Sequence, residues 1–291
     1  MELALHTGAH FTEQERLLTS ILRNTASLRE KGVHIPLPDS YRRLVRGVLN
    51  AMSKAPAAPN ARSLLLNKLT DGSEPNRVVL SDANFFRTAG TAIQRGVLYP
   101  AAAERLRSFE SIFASDDIEV FVGVRNPATL VPLLHDCVHK PDIADFWADR
   151  DVTQIRWQDL IREIRIVVPR AKITVWCFED LPLIWSKVIR AISGIEQDSA
   201  ITGAFDLLRT LLSKEGMARL RKQTQMNPGI SEDQKVDLIS SLLAQHAIEE
   251  EMEVELEMPG WSHQFVEDLT DLYEDDVAIV AGMQGVTFLS P

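Results

Sequence analysis

Short continuous apolar runs and stretches of helical periodicity take turns along the first 180 residues. Leu3-Ala4-Leu5 reads as a strand and is followed by Thr7-Gly8. Phe11, Leu17, Leu18, Ile21, Leu22 and Leu28 then recur at the spacing of one long helix, closed by Gly32. Residues 33–35 predict a short strand before Pro36, and helices follow from Asp39 and again over residues 62–69. Three β-rich runs, 78–80, 118–124 and 173–178, have the unbroken apolar character of parallel strands covered on both faces. Helical patterns lie between them, at 101–113 and through Trp157, Leu160, Ile161, Ile164 and Val168. This alternation predicts an α/β fold of three layers, α/β/α, around a central and mostly parallel sheet.

After Asp180 the strand signal nearly disappears, and residues 181–192, 205–220, 236–247 and 261–280 carry helical periodicity. Breaks at Asn227-Pro228-Gly229 and at residues 55–59 are too short for domain linkers, and no internal repeat is present. Residues 1–291 therefore read as one domain, with a helical flank at about 200–258 ahead of a closing helix and a tail.

Composition narrows the class of protein. Apolar residues make up 45% and charged residues 25%, which excludes collagen-like and globally disordered chains. With 31 Lys and Arg against 41 Asp and Glu the net charge is -10, which opposes nonspecific binding to nucleic acid or to an anionic membrane. Cys137 and Cys177 are too few for a disulfide scaffold and read as reduced, buried thiols. Residues 1–8 lack a secretory signal pattern, and no apolar run nears the ~18 residues of a membrane span, so a cytoplasmic location is expected.

The first strand runs through a glycine-bearing loop into a helix, an arrangement that aims backbone N–H groups and the positive helix end at an anion. The loop Gly8-Ala9-His10-Phe11-Thr12-Glu13 lacks the second glycine and the lysine of the Walker pattern, so it fails as that nucleotide motif. A plain strand-to-helix turn, with Thr12 and Glu15 as a capping box, is the structural alternative.

Read with later segments, the loop resembles a known family. Leu5-His6-Thr7-Gly8-Ala9-His10-Phe11-Thr12, Val79-Leu80-Ser81-Asp82-Ala83-Asn84-Phe85 and Val122-Gly123-Val124-Arg125-Asn126-Pro127 stand in order along the chain. Phe178-Glu179-Asp180-Leu181, Leu272-Tyr273-Glu274-Asp275-Asp276 and the tail from Gly285 follow. Together they are similar to the bacterial sulfotransferase-like proteins, whose P-loop-type fold binds 3′-phosphoadenosine 5′-phosphosulfate (PAPS). The resemblance implies that Gly8, Ala9, His10 and Thr12 meet the donor's 5′ end and that Arg125 meets its 3′-phosphate. It also implies sulfuryl transfer to a hydroxyl of a carbohydrate or other small acceptor, with PAPS or its product PAP as the only cofactor and no metal.

Departures from the family pattern fall at the chemistry. Phe11 stands at the loop lysine and Glu13 at the next glycine. Gln14 and Glu15 replace hydroxyl residues, Ala83 the acidic candidate base, and Leu133 the serine that partners the arginine. A phenyl ring cannot replace an ammonium at the breaking bond. His10 or Arg16 for positive charge and Asp82 or His6 for the base are the substitutes; loss of transfer, leaving a binding or interaction protein, is the preferred reading. A weaker alternative is a metal-dependent hydrolase on His135 and His139, spaced as in H-E-x-x-H but flanking Asp136-Cys137-Val138. Cys137 reads there as a small core residue, and the acidic run 249–257 as a solvated helix end.

Overall fold

The computed structural model describes residues 1–137, 151–252 and 258–291. Six strands form one sheet: β1 (Glu2–His6), β2 (Val33–His34), β3 (Arg77–Ser81), β6 (Asp117–Val124), β7 (Lys172–Cys177) and β8 (Val286–Leu289). Their order is β2-β3-β1-β6-β7-β8 and every pairing is parallel. A separate hairpin joins β4 (Ile93–Gln94) to β5 (Val97–Leu98). Its two turn residues, Arg95 and Gly96, both have positive φ, the geometry that matches the twist of the flanking strands.

Alternation along each strand sends side chains into two cores. Ala4, Val79, Phe121 and Trp176 face α1 (Gln14–Leu22), α2 (Thr25–Glu30) and α8 (Leu181–Ser193). Leu3, Leu5, Leu80, Val120 and Val122 face the opposite layer. That layer contains α3 (Pro38–Met52), α4 (Ala61–Thr70), α5 (Ala102–Ile112), α6 (Pro127–Cys137), α7 (Trp157–Val167) and α13 (His263–Ala281). The expected α/β/α layering is thus present.

The C-terminal flank comprises α9 (Leu208–Leu211), α10 (Lys214–Met226), α11 (Glu232–His246) and α12 (Glu249–Met252). It has a small core of its own, Leu208, Leu212, Met217, Leu220, Ile239 and Leu242, joined to the main body through Leu183 and Leu243.

Three elements and the placement of one cysteine differ from the sequence pattern. The single long helix after Gly8 is two, because Asn24 turns its amide to Ser20 O and Thr202 O, each at 2.9 Å, and so competes with the helical backbone. The continuous helix at 205–220 breaks at Leu212, whose backbone is extended and bridges to Ala247, and Ser213 caps the restart by accepting from Gly216 N–H. The C-terminal tail is the edge strand β8, parallel to β7. Cys137 is exposed rather than in the core, whereas Cys177 is buried.

Charge pairing concentrates at the N-terminal ends of the strands. Arg77 is 3% exposed and binds Glu2 at 2.8 Å and Glu119 at 2.6 Å; Arg62 holds Asp116 with two bonds of 2.6 and 2.7 Å. The opposite, C-terminal edge of a parallel sheet is where loops meet and ligands bind in this architecture. Among the described residues no helix is long and apolar enough to cross a membrane.

Candidate anion-binding site

The loop after β1 is built by borrowing partners from β6. Thr7 N–H donates to Phe121 O at 3.0 Å and Ala9 N–H to Gly123 O at 2.8 Å, so the chain stays in strand register as it leaves the sheet. Gly123 permits this close approach, since a Cβ there would lie 3.0 Å from Trp176 Nε1 and 3.3 Å from Thr12 Oγ1. His10 N–H then donates to the Tyr99 hydroxyl at 2.9 Å. The same hydroxyl is 2.9 Å from His10 Nδ1, and the two rings stack at 5.7 Å. Thr12 does not cap α1; its hydroxyl donates to Ala9 O at 2.7 Å, and the residue preceding the helix is Glu13 in the left-handed region at φ 60, with no side-chain cap. The capping box expected from Thr12 and Glu15 is therefore not formed.

Beyond His10 the backbone donors go free. The N–H groups of residues 11–16 have no hydrogen-bond acceptor among the described residues. They surround the start of α1, where unsatisfied N–H groups and the helix dipole together favour negative charge. Gln14 is only 6% exposed, and its Nε2 also lacks a partner. Its amide lies directly over Gly8, where an added Cβ would sit 2.4 Å from Nε2. Gln14 therefore occupies the hollow that Gly8, at φ +47, leaves in the loop.

Phe11 at φ 61 and Glu13 at φ 60 are left-handed without being glycine. Such a conformation costs an L-residue ~1–2 kcal/mol, so the surroundings must hold it in place. Arg125 does so for Phe11. It is 5% exposed, donates from Nη1 to Phe11 O at 2.5 Å and from Nε to Thr129 Oγ1 at 2.9 Å, and stacks on the Phe178 ring at 4.1 Å. Burial pulls Arg125 below its ordinary pKa, opposed by the carboxylates of Glu179 and Glu13, but guanidinium stays charged in proteins. Glu13 is held by Arg16 at 2.9 Å, and Arg16 in turn donates to Thr210 Oγ1 at 2.5 Å.

More distant elements brace this arrangement. Arg125 O accepts from Trp157 Nε1 at 3.0 Å, and the start of α7 is capped by Asp276 of α13, which accepts from Trp157 N–H at 2.5 Å and Gln158 N–H at 3.1 Å. Glu179 accepts from Asn126 N–H at 2.9 Å and from the Tyr273 hydroxyl at 2.8 Å. The segments around Gly8, Arg125, Glu179 and Asp276 thus belong to one connected structure.

The loop opens on a cleft of about 950 Å³. Phe11, Leu133, Phe178, Leu207 and Leu211 supply apolar wall; Arg16, Arg125 and several carboxylates, Glu13, Glu15 and Glu179 among them, border it. The two nearest carboxylates are already neutralised, Glu13 by Arg16 and Glu15 by Arg42 at 2.7 Å.

Of the residues singled out in the sequence, Thr12, Arg16 and Arg125 border this cleft, while Gly8, Ala9 and His10 lie beneath the loop with their backbone committed. Burial lowers the pKa of His10 against the opposing pull of Asn84 and Asp82, so its imidazole is neutral near pH 7 and brings no cation. His6 is fully buried; burial, then the charge of Arg42, pushes it down to about 3, and its Nδ1 is 2.9 Å from Ser81 Oγ. Asp82 is 2% exposed, with Oδ1 accepting from Asn84 N–H at 2.9 Å and Oδ2 lacking a hydrogen bond but 3.7 Å from Arg46 Nε. His135 lies 3.4 Å from Asp136, and His139 is outside the described residues, where part of the acidic run, 253–257, also falls. Among the described residues no group of three His, Cys, Asp or Glu side chains is placed to hold a metal.

Two contributors were not legible in the sequence. Tyr99 reaches His10 from 89 positions away, and Gln14 gave no signal beyond replacing a hydroxyl. Comparison of the chain with family models, with curated proteins and with solved structures finds no match.

Proposed function

We propose that this chain is a divergent protein of the sulfotransferase-like type that binds an ester with one phosphate or sulfate group at residues 11–16 and does not transfer sulfate. The observation that carries this reading is the run of unsatisfied N–H groups from Phe11 to Arg16, set against an Arg125 turned into the loop. The free donors hold the oxygens of one phosphate or sulfate group, and the helix dipole adds to their attraction. Phe11, Phe178 and Leu207 cover the apolar part of the ligand.

PAPS needs an anion site at each end of the nucleotide. Arg125, expected at the 3′-phosphate, directs Nη1 to Phe11 O and Nε to Thr129 and stacks on Phe178, which favours one anionic group over two in this site. Stabilisation of a leaving phosphate requires a cation at the bridging oxygen, and Phe11 provides none. Of the substitutes, His10, His6 and Asp82 do not border the cleft, and Arg16, which does, is engaged by Glu13 and Thr210, so no step of sulfuryl transfer is assigned to them. Of the carboxylates that border the cleft, Glu13 and Glu15 are paired with arginines and Glu179 accepts from Asn126 N–H and the Tyr273 hydroxyl, so none of these is assigned as base for an acceptor hydroxyl.

The test is an NMR titration of the amides of residues 11–16 with phenyl phosphate, alongside calorimetry with adenosine 5′-phosphate and PAP. Phenyl phosphate is expected to shift those amides, and the 3′-phosphate to add no affinity. Amides that do not respond would overturn the binding loop. A tenfold or greater preference for PAP, or turnover of PAPS, would overturn the loss of transfer.

A further inference from the structure

A second cleft, of about 630 Å³, lies on the other side of the turn at residues 82–84. Arg43, Arg46 and Asn50 of α3 form one wall, Asn84 and Arg87 after β3 form another, and Arg105 of α5 closes the base. Four arginines share this space in a chain whose net charge is -10, and among the described residues no carboxylate lines it. Like charges so placed repel, which is unfavourable unless a counter-charge enters.

The internal counter-charges are insufficient. Arg43 and Arg87 form no ion pair among the described residues, and Arg46 has only Asp82, at 3.7 Å. Arg105 is 5% exposed and meets no carboxylate; its Nη2 donates to Asn50 Oδ1 at 2.5 Å, and its Nε has no partner. A buried guanidinium with an unused donor is costly to maintain. Burial, and then the charge of Arg87, lowers the pKa of Arg105 against the opposing charge of Glu104. The remaining lining, Asn84, Thr88 and Thr91 with Asn50, offers neutral hydrogen-bonding groups suited to hydroxyls.

We infer that this cleft is a binding site, separate from the loop at residues 11–16, for a small polyhydroxylated ligand carrying two or more phosphate or sulfate ester groups. Forked guanidinium groups match the oxygens of such esters two at a time, and the asparagines and threonines take the hydroxyls between them. The volume admits one or two sugar units rather than a long chain. Arg105 supplies the fixed anchor, already positioned by Asn50. Arg43, Arg46 and Arg87 close from the rim, where they are exposed.

Isothermal titration of the full chain at low ionic strength with fructose 1,6-bisphosphate in one arm and a trisulfated disaccharide in the other tests this assignment. Binding of one in preference to the other identifies the ester class. The R43Q and R87Q variants, both at exposed side chains, are each expected to weaken binding about tenfold, with added salt weakening it further. R16Q, at the other cleft, is expected to leave this affinity unchanged, which separates the two sites. The assignment is overturned if neither probe binds at about 1 mM, or if R43Q and R87Q bind as tightly as the parent while circular dichroism shows them folded.

Discussion

Glu13 allows the backbone of the loop to be tested apart from its charges. Its side chain makes one ion pair, with Arg16 at 2.9 Å and both partners about one-third exposed, and its backbone is left-handed at φ 60 and ψ 23. Glu13→Ala and Glu13→Gly both delete the carboxylate and its ion pair, so the difference between them isolates the backbone. An alanine in this conformation bears ~1–2 kcal/mol that glycine does not. Glycine loses ~0.4–1 kcal/mol through the greater freedom of its unfolded chain. Glu13→Gly is therefore expected to be more stable than Glu13→Ala by about 0.5–1 kcal/mol. At an ordinary helical position the order is reversed, with alanine ahead by about 1 kcal/mol. Urea unfolding followed by circular dichroism reads this as a shift of about 0.2–0.3 M in midpoint for an m-value near ~3 kcal/mol/M. If Glu13→Ala has the higher midpoint at equal m, the loop does not hold Glu13 left-handed, and the arrangement of free donors at residues 11–16 falls with it.

Two further outcomes bear on the same framework. His6 is held at about 3 against 6.5 for a free imidazole, so the folded state binds fewer protons between those values; the contribution of His6 is complete above about 6.5 and is lost as pH falls toward about 3. His10 and His34 are also lowered by burial and act in the same direction, so His6→Asn should flatten part, not all, of the loss of stability measured by urea unfolding across that range. Asp276→Ala removes the cap on α7 and is expected to lower stability by about 2 kcal/mol, with Asp276→Asn milder because one acceptor oxygen remains. Equal stability of Asp276→Ala and the parent in the same assay would refute the bracing of Arg125 through Trp157.

The layers of the fold were legible because burial on both sides of a parallel strand imposes an unbroken apolar run, as in Val120-Phe121-Val122, and the covering helices impose a 3.6-residue period. Edge and junction elements carry less of that signal. Val286, Thr287, Phe288 and Leu289 pair on one side only and are partly exposed, so neither pattern marks β8 as a strand. The breaks at Asn24 and Ser213 depend on single polar side chains whose partners, Thr202 O and Gly216 N–H, are fixed by tertiary structure or by the next turn.

The site divides along the same line. Gly8, Thr12 and Arg125 stand out by residue type and by their position at strand ends, and the structure brings all three to one loop. Their roles could not be read from type alone. An arginine at a strand end suits an external phosphate as well as it suits an internal carbonyl, and the choice depends on whether the facing loop presents a carbonyl at bonding distance. Phe11 does so because its φ is positive, and it stays so because Arg125, 114 positions away, and the His10–Tyr99 contact, 89 positions away, fix the chain on either side. The contact of Arg125 with Phe11 O and the unpaired N–H groups of residues 11–13 belong to the same turn, while those of residues 14–16 are the open first turn of α1. Under the proposed reading a ligand there meets backbone N–H groups and the helix dipole beside two arginines, Arg16 and Arg125, whose side chains already have partners within the protein, an arrangement suited to retaining an anion.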